Sequence, residues 1–285
     1  MNYREAWFDR GGHRIYARDY PGQEPPAVLL HGFPDNLHLY DRLVPHLNPP
    51  RRVIAFDFLG WGASDKPADY PYTAKNQTAD LDAVIRQFGL DHVMLVAHDA
   101  SGPPAIDWAL DHPDRVAALV LLNTYYCLMP TLRPPEAIVL YSTPVLRNAA
   151  RFVVSTWDFL DRKLYTWQVG RFIGEESARQ EMVPSLYEAF RSERPAFWAL
   201  NNDLLGTVIS RTRRIPEMRR FTRPVRIIFG ERDPYLNKGV ARCFHKLFPG
   251  SDLFLVSGRH YVQVDQPQQV ANLILGLQEH DRPTP

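Results

Sequence analysis

Residues 93–102 read V-M-L-V-A-H-D-A-S-G, and the fold is decided there. Val93–Ala97 is a continuous apolar run, the pattern of a strand buried on both faces. Small, turn-tolerant residues follow, and Pro104–Leu110 is amphipathic. Strand, sharp turn and helix therefore succeed one another, with Asp99 at the tip. A carboxylate presented at such a tip predicts attack by oxygen on carbon and an ester to the enzyme itself.

Such a turn needs small residues two before and two after its tip. Around Asp99 these are Ala97 and Ser101. Around Ser101, the rival nucleophile, they would be Asp99 and Pro103, so Asp99 is the expected nucleophile.

The same rhythm runs outward from this element. Ala27–Leu30, Val53–Phe56 and Ala118–Leu122 read as buried strands, and Tyr40–Leu47, Asn76–Phe88 and Ser101–Asp111 as helices. On the second of these helices Leu81, Val84, Ile85 and Phe88 recur at spacings of three and four. Strand–helix–strand spacing of this kind predicts right-handed crossovers and a parallel sheet. From Tyr125 to about Thr222 the pattern turns aromatic and helical, which predicts a helical cap at 125–222. The sheet resumes at Val225–Phe229 and Leu253–Val256, and Pro267–Leu277 closes the chain as a helix. The core is thus expected at 1–124 and 223–285, with Asp281–Pro285 as a frayed tail.

Composition narrows the function. The chain has 285 residues and a formal net charge of +1, with 45% hydrophobic residues. That is ordinary for a globular protein and gives no nucleic-acid footprint. The arginines at 211, 213, 214, 219, 220 and 223 read as a solvated helix and linker. The start, M-N-Y-R-E-A-W-F-D-R, has no apolar signal core, and no segment is long enough for a membrane span. Two cysteines exclude a disulfide scaffold. A cytoplasmic protein, monomer or homodimer, is expected.

An ester on Asp99 must be cleaved, which calls for a base. His260, in S-G-R-H-Y, follows the last strand. Asp233, in F-G-E-R-D-P, follows the strand before it and can orient the imidazole. Both fall at carboxyl ends of strands, where open α/β sheets bind ligands. Singly, Asp99 is also a good helix cap, Asp233 a good turn residue and His260 a plausible core histidine. The order nucleophile, acid, base at three strand ends favours the catalytic reading. The backbone N–H groups of Phe33, in H-G-F-P, and Ala100 are the expected oxyanion donors.

The motifs H-G-F-P (31–34), D-F-L-G-W-G-A-S-D-K-P (57–67), A-H-D-A-S-G (97–102), G-E-R-D-P (230–234) and G-R-H-Y-V-Q (258–263) resemble the α/β-hydrolase superfamily, in its epoxide hydrolase and haloalkane dehalogenase branch. The resemblance spans about Tyr3 to Leu277. It implies a mostly parallel eight-stranded sheet flanked by helices with an inserted helical cap, and a cis bond before Pro34. His98 beside the nucleophile also fits this branch. Haloalkane dehalogenases of this type carry tryptophan directly after the nucleophile and often asparagine in the H-G turn. Here those positions are Ala100 and Phe33, so a donor for halide would have to come from Trp157 or Trp61. Fluoroacetate dehalogenases place arginines soon after the nucleophile, whereas this chain reads A-S-G-P-P-A-I-D-W. Epoxide hydrolases use cap tyrosines as acids. Tyr141, Tyr165 and Tyr187 are the candidates, with Tyr125 and Tyr126 at the cap entrance, although Ala199 in F-W-A-L-N (197–201) stands where one such tyrosine is usual.

The expected substrate is a small or medium neutral organic molecule, with water as co-substrate. The glycines at 60 and 62 lack the lysine–serine/threonine ending of a phosphate loop. The histidines at 31, 38, 46, 92, 98, 112 and 245 show no zinc spacing. Neither cofactor nor metal is expected, and His31 is assigned to support of the oxyanion turn.

Overall fold

The computed structural model describes residues 2–277, so the 281–285 tail lies outside the described residues. Eight strands form one sheet: β1 (Arg4–Asp9), β2 (Arg14–Tyr20), β3 (Ala27–Leu30), β4 (Val53–Phe56), β5 (Val93–Asp99), β6 (Val116–Thr124), β7 (Val225–Gly230) and β8 (Asp252–Val256). Their spatial order is β1-β2-β4-β3-β5-β6-β7-β8, with β2 antiparallel to both neighbours and β4 to β8 mutually parallel. The expected fold class, an α/β-hydrolase sheet of eight mostly parallel strands with flanking helices, is the one observed.

Helices cover both faces. They are α1 (Val44–Leu47), α2 (Ala74–Gln87), α3 (Gly102–Asp111), α4 (Glu136–Ser142), α5 (Pro144–Thr156), α6 (Asp158–Gly170), α7 (Glu176–Asn201), α8 (Leu204–Arg211), α9 (Ile215–Arg220), α10 (Lys238–Leu247), α11 (Val262–Asp265) and α12 (Pro267–Leu275). Strand side chains alternate between faces. Val28, Leu30 and Leu95 accordingly join Leu81 and Val84 of α2 and Ile106 of α3 in one core. Leu29, Met94 and Val96 join Val44 and Leu47 of α1 and Val270 and Ile274 of α12 in the other. Burying each such side chain stabilises the fold by roughly 1.5–3 kcal/mol before ordering costs are counted.

Three features differ from the sequence reading. The β1–β2 hairpin was not identified, because R-E-A-W-F-D and R-I-Y-A-R-D-Y interleave charge with carbon. Phe8, Ile15 and Ala17 nevertheless face the core. The helix expected over Tyr40–Leu47 is split into a 3-10 turn at Leu37–Tyr40, capped by the Asn36 side chain on His38 N, and the short α1 with Pro45 near its start. The arginine cluster is only partly solvated. Arg211 is buried and meets Asp107 of α3 at 2.6 Å, and Arg214 meets Asp107 and Asp111 at 3.2 and 2.6 Å.

The helices α4–α9 all lie between β6 and β7. They are tied to the rest by the Arg211–Asp107 pair, by a bond from Gly62 N to Glu193 of α7 (2.8 Å), and by the Tyr165 hydroxyl, which donates to the Pro34 carbonyl at 3.3 Å. Among the described residues no helix is long and apolar enough to cross a membrane.

Candidate active site

Asp99 ends β5 and has φ 51°, in the left-handed region. A non-glycine residue held there costs on the order of 1–3 kcal/mol, and the cost is met by the surrounding contacts. The Thr124 hydroxyl, at the end of β6, donates to the Asp99 carbonyl. Gly32 lets the 31–34 turn come close: a Cβ at residue 32 would lie 2.7 Å from Asp99 Cβ. The Phe33 amide donates to Asp99 Oδ2 at 3.2 Å, and the Ala100 amide also donates to this carboxylate. Both expected donors therefore reach one carboxyl group. The bond before Pro34 is cis, as the resemblance implied.

His260 follows β8 and Asp233 follows β7. His260 Nδ1 is 2.7 Å from Asp233 Oδ2, so it carries its proton there. Its Nε2 lies 3.6 Å from Asp99 Oδ1. That gap exceeds a hydrogen bond and leaves the nitrogen facing the Asp99 carboxylate. Asp233 Oδ1 accepts from the amides of Tyr235 (2.8 Å) and Leu236 (3.2 Å). The sequence reading missed Asn123, which ends the apolar run of β6 on a polar note. Its Nδ2 donates to Asp233 Oδ2 and its Oδ1 accepts from Gly230 N, both at 2.8 Å.

The electrostatics follow from this geometry. Burial alone would raise Asp233, but the His260 charge, its hydrogen bond and the donors from Tyr235 and Asn123 hold the carboxyl below its usual range. Burial opposes a charged His260, yet Asp233, then Asp99 and Asp35, outweigh it and the imidazole is raised. Asp99 is raised by burial, with His260 and the two amides acting against that. His98 is held neutral by burial and donates Nε2–H to the His260 carbonyl at 3.1 Å. Asp35, also missed, accepts from the Tyr261 hydroxyl, and burial pushes its carboxyl up to about 7. His31 bridges the Gly32 carbonyl (2.8 Å) and the Phe58 amide (3.2 Å), the turn-supporting position expected of it.

Ser101 faces away from the site. Its buried hydroxyl donates to the Leu30 carbonyl at 2.7 Å and accepts from the His98 amide at 3.0 Å. Ser101→Ala should therefore cost about 1–3 kcal/mol of stability, because it orphans a buried amide. Turnover should persist. Thermal melts and a rate assay check this, and complete loss of turnover in a folded variant would restore Ser101 as nucleophile.

Asp99, Ala100, Phe33 and His260 open onto a cavity of about 120 Å³ beneath α4, α6 and α7. That is several times the space one water requires. Carbon dominates its walls, including Leu164, Val169, Phe172, Phe190 and Phe197. Tyr141 and Tyr165 line it, as does Tyr125 just past β6. Burial and then the Asp99 carboxylate hold the Tyr125 phenol in its protonated form. Other expected residues are not brought together here. Trp157 is 46% exposed between α5 and α6 and packs against Phe152 outside the cavity. Trp61 is buried against Phe33 and Tyr72 behind the wall. The Tyr187 hydroxyl donates to Asp158 and Asp161, and that of Tyr126 to Asp107. Among the described residues no tryptophan lines the cavity.

Comparison with known proteins places the fold. The family model for the alpha/beta hydrolase fold matches residues 25–267. Haloalkane dehalogenase 2 of Mycobacterium tuberculosis is 25% identical over 280 residues, covering 96% of this chain and 94% of that protein. The solved haloalkane dehalogenase DatA of Agrobacterium tumefaciens C58 is similar with a TM-score of 0.81 at 22% identity, over 95% of this chain and 94% of its own. The epoxide hydrolase CorEH is similar with a TM-score of 0.74 at 20% identity, over 96% and 98%. The chain belongs to the α/β-hydrolase fold family and is a hydrolase.

Proposed function

We propose that this hydrolase opens small or medium neutral epoxides through an alkyl ester on Asp99. The observation that carries the reading is the set of donors around the nucleophile. The cavity offers tyrosine hydroxyls from Tyr125, Tyr141 and Tyr165, suited to an oxygen leaving group, and among the described residues no indole lines it to hold a halide.

In the first step Asp99 Oδ1 attacks a ring carbon. The carbon–oxygen bond breaks, and the ring oxygen takes the electron pair and a proton from a tyrosine hydroxyl. In the second step His260 Nε2 takes a proton from water, and the resulting hydroxide attacks Cγ of Asp99. The ester carbonyl is the nucleophile's own oxygen. Its donors must therefore sit on Asp99 itself, and the amides of Phe33 and Ala100 do. Collapse expels the alkoxide, which takes the His260 proton and leaves as a diol. The proton left on the Asp99 carboxyl returns to the tyrosinate, so carboxylate and phenol are both restored. Helices α4–α9 act as a cap that carries Tyr141 and Tyr165 and excludes bulk water, while Tyr125 is held just past β6.

A second reading is haloalkane hydrolysis by the same two steps, with halide leaving in the first. It is favoured by the relatives that match along nearly the whole chain. Turnover of styrene oxide and 1-bromobutane, with Tyr125→Phe, Tyr141→Phe and Tyr165→Phe tested singly, separates the two. Epoxide opening should fall about 100-fold in at least one variant, the worth of a positioned general acid. Bromide release that all three variants leave untouched, with no diol from the epoxide, would assign the chain to the second reading.

A further inference from the structure

A second cleft, of about 640 Å³, lies between the start of α2, the outer side of α3 and the junction of α7 with α8. More charged side chains line it than line the catalytic cavity. Lys75, Asp82, Asp107, Asp111, Arg211 and Arg213 line it, with further hydroxyls and amides between them. Yet Ala100, Tyr125, Leu200 and Leu204 line both spaces. The partition between charged cleft and apolar cavity is therefore one side chain thick, and it stands at the residue next to the nucleophile. Tyr125 feels both sides, since Asp99 and Arg211 each act on its phenol.

The two-step chemistry proposed above sets a problem that this arrangement answers. A substrate esterified to Asp99 would occupy much of a cavity of about 120 Å³ and leave little room for water to pass beside it. Water must still reach Cγ of Asp99. The cavity's walls are mostly carbon, and an ester-bound substrate would cover some of the few polar groups that could supply the two to four partners an ordered water needs. We propose that the second cleft is the aqueous entrance of the active site, admitting the water that cleaves the Asp99 ester and draining the hydroxylated product past Tyr125, Leu200 and Leu204. This inference rests on the ester mechanism and adds a route to it. Apolar substrate enters from the cavity side, and polar reactant and product use the charged side.

A reversible plug tests it. Thr207, on α8, lines the cleft and not the cavity. Thr207→Cys is labelled in the folded protein with benzyl methanethiosulfonate, and wild type treated alike controls for Cys127 and Cys243. Styrene oxide and 1-bromobutane are the probes. Rapid quenching followed by intact-mass measurement gives the rates at which the Asp99 ester forms and clears. The labelled protein should form ester at the unlabelled rate and clear it about tenfold more slowly. Removing the label with dithiothreitol should restore clearance, which shows that the fold was intact. Ester that clears at the unlabelled rate overturns the passage and leaves the ester mechanism standing. Absence of any Asp99 ester, in labelled and unlabelled protein alike, overturns the mechanism and the passage with it.

Discussion

Asp99→Asn is expected to lower turnover by about four orders of magnitude or more, the scale seen when a nucleophile that works as part of a unit is removed. The amide retains an oxygen for the Phe33 and Ala100 donors but has no anionic oxygen to attack carbon. The fold should not suffer. Burial disfavours the Asp99 carboxylate, and a neutral amide of the same shape avoids that cost. The melting temperature should stay level or rise while activity disappears. A folded Asp99→Asn protein turning over at the wild-type rate would remove Asp99 from the chemistry.

Asp233→Asn should cost a comparable factor for a different reason. Asp233 Oδ2, 2.7 Å from His260 Nδ1, fixes the imidazole tautomer with its lone pair on Nε2. An amide there can donate its own proton to Nδ1. The His260 proton then sits on Nε2, where a base is needed, and in the serine triad that inversion costs about 10⁴ in kcat. The pH dependence gives an independent signature. The neutral imidazole is the active form, and His260 is raised above its usual ~6.5, with burial opposing and Asp233, Asp99 and Asp35 prevailing. Wild-type activity should therefore climb with pH through an inflection above 6.5 and level off on the alkaline side. In Asp233→Asn the largest of those upward pulls is gone, so the inflection of the residual activity should move to lower pH. A rate–pH profile of both proteins reads this directly. An inflection that stays in place, or moves up, contradicts the pairing.

The order of strand, turn and helix around Asp99 was legible because both signals are local: an unbroken apolar run and small residues at fixed offsets from the tip. Asp233 and His260 were legible through their places after apolar runs, although they are 27 positions apart in the chain and meet only because β7 and β8 are neighbours. Asn123, Asp35 and Tyr261 were not. Their roles depend on partners up to 226 positions away, as between Asp35 and Tyr261, which no local pattern encodes. The β1–β2 hairpin escaped because an edge pair buries one face only. Trp157 was a candidate halide donor because Ala100 has none, but it stands in the turn between α5 and α6 and packs against Phe152 outside the cavity. Tyr125 was read as standing at the cap entrance, whereas the pairing of Thr124 with Asp99 across β6 and β5 places it beside Asp99.

The most direct measurement of the ester on Asp99 is the intact mass of His260→Gln after incubation with pooled epoxides and haloalkanes. The substitution removes the base and leaves the nucleophile free to attack, so the ester should accumulate. The expected result is a mass increase equal to a whole epoxide, mapped by peptide analysis to Asp99. An increase equal to a haloalkane less hydrogen halide, on the same residue, would keep the nucleophile and change the substrate. An adduct on Ser101, or none from the full panel, would contradict an ester on Asp99.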